Sequence, residues 1–224
     1  MTGVRQYASD NRERSDSTKV NAQRSDLNIV FDLGGVVFKW QPDVIISSFF
    51  EGSDTQELVR QEIFEHRDWL ELDRGTISLE AAIERGADRT GLPVEDIERL
   101  LTAVPEYLVP IDQTIELIRR LATTSNKLFV LSNMHLASIA HLEQEHDIWA
   151  LFHGVVISSR INTIKPEIQI YRHLLDTYQL TPADTVFIDD RPENLEAASS
   201  LGIGTIRFFD SSQCERALSD LECL

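Results

Sequence analysis

The sequence predicts an α/β protein, a doubly wound parallel sheet with a helical segment inserted after its first strand. Three observations carry this prediction. From Leu27 onward, short apolar runs alternate with longer stretches of helical periodicity, the pattern of a parallel sheet crossed by helices. About 70 residues from Gln41 to Pro110 hold helical patterns alone, and a structureless loop of that length is implausible in a compact domain. Several apolar runs end on polar or charged residues, at the strand ends where open α/β sheets bind their ligands.

Taken in order, residues 1–26 mix Ser, Asp, Arg and Asn with almost nothing to bury, so they cannot offset the entropy of ordering and read as a disordered tail. Asp10, Glu13, Asp16 and Asp26 argue against a transit peptide, because such peptides are poor in acids. The first strand is 28–32, "NIVFD". Four more follow at 127–132 "KLFVLS", 155–158 "VVIS", 185–189 "TVFID" and 204–208 "GTIRF". Amphipathic segments at 134–147, 167–178 and 192–201 are long enough to cross back over the sheet. Within the insertion, 54–66 and 78–90 have helical periodicity, with turns at Gly75, Gly91 and Pro93. The expected organisation is a tail (1–26), an α/β core (27–40 and 109–224) and a helical insertion (41–108) over the sheet.

A chain of 224 residues with 42% hydrophobic content suffices for one sizeable core and a small satellite. Its 21 Lys and Arg against 37 Asp and Glu leave a formal charge of -16. That charge repels a phosphate backbone or an anionic bilayer, so nucleic-acid and membrane partners are disfavoured. So acidic a protein binds a small anion only by neutralising it locally, with a metal ion, a lysine or oriented N–H groups. Cys214 and Cys223 are the only cysteines, too few for a disulfide framework or a four-cysteine zinc site. No apolar run approaches the roughly 20 residues of a membrane span and no signal-like segment opens the sequence, so the expected setting is the reducing cytoplasm.

The strand ends carry Asp32 after the first strand, Ser132 and Asn133 after the second, and Asp189 with Asp190 after the fourth. Lys165 lies in the loop following the third, in "NTIKPE". Each has a plain structural use. Asp32 can cap the turn opened by Gly34 and Gly35, the polar pairs can cap helices, and Lys165 can be a solvated charge. Four strand ends carrying compatible groups together point instead to a site. Two other patterns carry nothing. "HLEQEH" at 141–146 spaces its histidines five apart rather than four, off one helical face, and no glycine-rich nucleotide fingerprint surrounds Gly34.

In order and spacing, "FDLGGVV", "VLSN", "KPEIQIY" and "VFIDDRPEN" resemble the four motifs of the haloacid dehalogenase superfamily of aspartate-nucleophile hydrolases and phosphotransferases. The resemblance runs from Leu27 to Phe209; residues 41–108 match the family's small helical cap, and "LDRGTIS" at 72–78 resembles a cap segment of its phosphatase branches. The pairing of "FDLG" with "KPE" and "FIDD" is most similar to bacterial sugar-phosphate phosphatases of the glucose-1-phosphate phosphatase type. The resemblance implies a Mg²⁺-dependent hydrolase of a small phosphorylated metabolite, a sugar phosphate, working through an aspartyl-phosphate. It makes Asp32 the nucleophile and Lys165 the group that offsets charge between nucleophile and substrate. Gly35, Ser132, Asn133 and Lys165 would bind the phosphate, and Asp32, the Gly34 carbonyl and Asp190 would hold Mg²⁺, with Asp189 steering from behind. Trp40, Phe64, Trp69 and Arg74 are candidate walls for the substrate.

One position departs from the family pattern. Most of its phosphatases carry a second aspartate two residues after the nucleophile, which protonates the leaving alcohol and then activates water; here Gly34 stands there. Losing a general acid–base costs about 10²–10⁴ in rate. The sequence therefore predicts a preference for leaving groups that need little acid assistance, with His135, His66 and Asp73 as candidate stand-ins. Two alternatives remain open. The dehalogenase branch also lacks the second aspartate and shares the Lys165-to-Tyr171 spacing, but it needs no metal, and the Asp189–Asp190 pair would repel its carboxylate substrate. A phosphate-binding or regulatory protein that lost turnover has Gly34 as its support.

Overall fold

The computed structural model describes residues 26–224, so the tail assigned to 1–26 falls, apart from Asp26, outside the described residues. Strands β1 (Asn28–Phe31), β2 (Lys127–Ser132), β3 (Gly154–Ile157), β4 (Thr185–Asp189) and β5 (Gly204–Arg207) form one parallel sheet in the order β3-β2-β1-β4-β5. β1 is central because it has no polar face to show. Ile29 and Phe31 are fully buried in one apolar cluster and Val30 in another, so successive residues feed opposite faces of the sheet. The strand stops at Phe31, yet the Asp32 N–H still donates to Ile188 O at 2.9 Å, which carries the pairing with β4 through the acid.

The segment between β1 and β2 opens with five helices, α1 (Pro42–Phe49), α2 (Ser53–Val59), α3 (Arg67–Arg74), α4 (Leu79–Thr90) and α5 (Val94–Ala103). They share an apolar cluster of their own, built on Ile45, Val59, Ile63, Leu72, Ile97 and Leu100. The single helix expected at 54–66 is instead α2 followed by a π-helical turn, Arg60–Phe64. That wider turn lets Ile63 press on Gly86 of α4 while Phe64 joins Trp69 and Trp40, and π turns of this kind recur at functional sites.

The remaining helices cover both faces of the sheet. α6 (Asp112–Leu121) and α7 (Leu136–Glu145) share the cluster of Ile29 and Phe31. Ser158, expected as the end of the third strand, opens the short α8 (Ser158–Ile161). α9 (Ile168–Tyr178) and α10 (Pro192–Ser199) share the cluster of Val30, and α11 (Ser211–Asp220) returns to the first face. Among the described residues, no helix is long and apolar enough to cross a membrane.

The end of α3 is fastened to the core next to the sheet's carboxyl edge. Arg74 makes a two-pronged ion pair with Glu167 at 2.9 and 2.6 Å, Ser158 Oγ donates to the Asp73 carbonyl, and Asn162 Nδ2 reaches the Arg74 and Gly75 carbonyls at 3.2 Å each. Gly75 closes α3 at φ +81°, and a Cβ there would stand 2.6 Å from Ser159 O, so only glycine allows this docking.

Candidate active site

β1 and β4 are neighbours, so their parallel ends place Asp32 beside Asp189 and Asp190. Lys165 stands between the two strand ends: its Nζ lies 2.8 Å from Asp32 Oδ1 and 2.7 Å from Asp189 Oδ2, with 1% of the side chain exposed. The Phe187 ring lies 5.3 Å beneath the ammonium. Burial works against the Lys165 charge, but the two carboxylates more than offset it and hold its pKa above the ordinary value. Burial likewise opposes charge on Asp189, and Lys165, the Arg191 N–H and Asn194 overcome it, so this carboxylate stays ionised. Asp32 is less well compensated. Burial pushes it up to about 7, Lys165 pulls back, and Asp189 adds to the rise.

A supporting layer fixes these groups, and parts of it had no sequence signal of their own. Asn194 Nδ2 donates to both Asp189 oxygens at 3.0 Å, and its carbonyl accepts from Tyr171 Oη at 2.9 Å. Asn133, expected to meet phosphate, also clamps the Lys165 backbone: its Nδ2 donates to the Lys165 carbonyl at 3.0 Å and its Oδ1 accepts the Lys165 N–H at 2.8 Å. Ser132 Oγ is buried close enough to Asp32 to help lower its pKa. Among the described residues it is nonetheless the one buried side-chain oxygen or nitrogen with no hydrogen bond of normal geometry, a hydroxyl still available to a ligand.

The two glycines have different uses. Gly34 lines the cavity. Gly35 does not: its N–H donates to Phe38 O at 2.7 Å, so it offers no free donor to a phosphate, contrary to the expected role. Its φ of +79° and a Cβ position 2.9 Å from Asp190 Oδ2 show what it does instead, letting the Asp190 carboxylate close over the turn.

Above the acids opens a cavity of about 340 Å³, within the range of small-molecule sites. Asp32, Gly34, Asn133, Lys165 and Asp190 form its floor, and Trp40, Phe64, Trp69, Leu70, Val104 and Leu108 supply an apolar wall. Trp40 stacks on Trp69 with centroids 5.4 Å apart, and Phe64 packs against Trp69 at 4.9 Å. Arg74, expected in this wall, is instead turned to Glu167 and fastens the insertion. His66 is also away from the lining, capping α3 through an Nδ1 that accepts the Asp68 N–H at 3.1 Å. His135 lines the cavity, but burial lowers its pKa to about 4, and its Nε2 lies 2.9 Å from Ser138 Oγ. Asp73 lines it too, buried, within hydrogen-bonding reach of the His135 N–H and the Trp69 indole.

The acids fit a divalent cation. One oxygen each of Asp32, Asp189 and Asp190 lies within 4.8 Å of the other two. Both oxygens of Asp189 are already engaged by Lys165, Asn194 and the Arg191 N–H. That leaves Asp32 and the partly exposed Asp190 with carboxylate oxygen to offer, the hard donor type that Mg²⁺ prefers. Asp190, raised by burial and by Asp189, gains as Asp32 does from a cation close by.

The haloacid dehalogenase-like hydrolase family profile matches residues 29–208. A sesquiterpene phosphatase of Aspergillus oryzae is 28% identical over 182 residues, 81% of this chain and 89% of that protein. A HAD family enzyme of Bacteroides thetaiotaomicron, solved with magnesium and inorganic phosphate, superposes with a TM-score of 0.67 at 22% identity, covering 82% of this chain and 94% of that one. The L-2-haloacid dehalogenase of Xanthobacter autotrophicus, solved with chloropropionic acid covalently bound, gives a TM-score of 0.63 at 18% identity over 88% of this chain and 83% of its own. With four motifs converging on one sheet edge and the profile spanning both the sheet and its insertion, the chain belongs to the haloacid dehalogenase-like hydrolase family.

Proposed function

We propose that the chain is a Mg²⁺-dependent phosphomonoester hydrolase that acts through an aspartyl-phosphate at Asp32, with residues 41–108 as a cap over the site. The carrying observation is the buried Lys165 bridging Asp32 and Asp189 beside Asp190, an arrangement in which one cationic side chain offsets the charge of two buried acids next to a third carboxylate that a metal can share. Asp32 attacks phosphorus, and a covalent intermediate divides one slow hydrolysis into two faster steps. Lys165 and Ser132 meet the phosphate oxygens, while Asn133 holds Lys165 in place. Bound Mg²⁺, held by Asp32, Asp190 and the Gly34 carbonyl, would neutralise charge between the carboxylates and the incoming phosphate. The aromatic cap residues exclude water around the reacting centre.

For the substrate, the apolar wall and the sesquiterpene phosphatase relative support a hydrophobic phosphomonoester over the sugar phosphate implied by the motif pairing. Trp40, Phe64, Trp69, Leu70, Val104 and Leu108 supply apolar surface suited to a hydrocarbon chain, with Arg60, Glu65 and Asp73 the charged groups that the insertion adds to the lining. A phosphate-release panel with and without Mg²⁺ tests this. Farnesyl monophosphate is expected to exceed glucose 1-phosphate in kcat/KM by about tenfold or more, and chelation with EDTA to remove activity on both. Preference for the sugar phosphate would reject the hydrophobic assignment, and chloride release from 2-chloropropionate without metal would reject the phosphatase reading.

A further inference from the structure

We infer that Asp73 of α3 is the proton carrier of this reaction, a catalytic residue that stands in for the aspartate missing at position 34. The inference rests on the phosphatase reading above. In-line attack puts the nucleophile and the leaving oxygen on opposite sides of phosphorus. Asp32 approaches from the sheet edge, so the leaving oxygen faces the helical insertion. Two carboxyls of that insertion line the cavity, Glu65 and Asp73. Glu65 is exposed, whereas Asp73 is 8% exposed and its backbone is fastened to the core through Ser158, Arg74 and Gly75. His135, the other acid–base group on this side, carries no spare proton at neutral pH.

The groups facing Asp73 are Trp69 on its own helix, the His135 N–H before α7, and Asp32 and Lys165 from the core. Burial pushes its carboxyl up to about 7; Asp32 adds to the rise, and the His135 N–H, Trp69 and Lys165 oppose it. A carboxyl so placed both gives and takes a proton near neutrality. In the first half-reaction, an Asp32 oxygen bonds to phosphorus, the bond from phosphorus to the leaving oxygen breaks, and the Asp73 proton passes to that oxygen, releasing the alcohol. In the second, water bonds to phosphorus and gives its proton to the Asp73 carboxylate. The bond from phosphorus to Asp32 breaks, leaving inorganic phosphate, a free Asp32 carboxylate and a reprotonated Asp73. Gly34 is no obstacle to this substitution of roles. A Cβ there meets nothing nearer than Trp40 Cβ at 3.8 Å, so sterics do not demand the glycine.

The test compares farnesyl monophosphate with 4-nitrophenyl phosphate, whose leaving group departs without a proton, using the full chain with Mg²⁺. For Asp73→Asn, cleavage of the alkyl ester is expected to fall by about 10²–10⁴, while the first turnover of the aryl ester stays within about tenfold and nitrophenolate appears as a burst. Equal losses on both esters would overturn the inference. A second measurement needs no variant. In single turnovers of the wild type, the alkyl ester alone should slow by about tenfold per pH unit above the titration of Asp73, because ionisation of Asp32 or Lys165 moves both esters together. Parallel pH profiles would overturn the inference even if Asp73→Asn failed to fold. A wild type that releases phosphate from neither ester would overturn the phosphatase reading itself, an outcome distinct from either of these.

Discussion

Asp32→Asn is expected to abolish phosphate release, by at least about 10⁴-fold, with the fold retained. The amide keeps the shape of the carboxylate and can still accept from Lys165 Nζ and the Leu33 N–H, which now reach Asp32 Oδ1 at 2.8 and 2.7 Å. It loses the negative charge that makes the oxygen a nucleophile and one of the oxygen donors to a metal. Retention of the fold follows from the electrostatics as well as the shape. Burial already pushes Asp32 up to about 7, so a neutral side chain at this depth removes a desolvation cost rather than adding one. Phosphate release in the presence of Mg²⁺, together with a thermal melt, measures both halves. A variant that keeps more than about a tenth of wild-type turnover would remove Asp32 from the chemistry.

The second large effect is on stability. Lys165→Met removes the one cation that Asp32 and Asp189 share, and the new side chain roughly preserves volume. Two buried carboxylates then face each other without a cation between them, keeping only neutral donors such as the Leu33 N–H, the Arg191 N–H and the Asn194 amide. Breaking a buried pair in this way costs on the order of 3–5 kcal/mol, and turnover is lost with it. The pH dependence has a definite sign. The folded pKa of Lys165 lies above its ordinary value of 10.5, so its contribution is present throughout the neutral range and is lost only as pH rises through that folded value. In the variant the penalty belongs to the carboxylates. It is small where they are protonated, near pH 4, and grows as pH rises toward 7 and both must ionise in the unfolded chain. Urea unfolding in EDTA should show a gap between wild type and variant that widens from pH 4 to pH 8. A constant gap would show that Lys165 acts by packing rather than by charge.

The sheet and the acidic floor were legible because both follow from short patterns. An apolar run that ends in a carboxylate, as at 28–32 and 185–190, states a strand and its polar end together, and parallel pairing then brings Asp32 and Asp189 side by side. What stayed hidden depends on partners far apart in the chain. Arg74 reads as a free cation near aromatic residues until Glu167, 93 positions later, takes it. Asn194 reads as an ordinary residue of a first helical turn until Asp189 turns back toward it. Gly34 and Gly35 are indistinguishable in "DLGG", and only the backbone path assigns one to the cavity and the other to Asp190. The break of α2 into a π turn likewise answers to Gly86, on another helix. Asp73 stood among three candidates on sequence alone; His66 turns away from the cavity to cap α3, and burial lowers the His135 pKa to about 4, so of the three Asp73 is the one that lines the cavity with its pKa raised.

Rapid acid quench during turnover of a phosphomonoester with Mg²⁺, followed by borohydride reduction and mass analysis of the peptide that carries residue 32, tests the central claim most directly. An acyl-phosphate at Asp32 is reduced to homoserine at that position, in a fraction that tracks substrate and disappears in EDTA. Steady release of phosphate with Asp32 recovered unmodified at every quench time would contradict it.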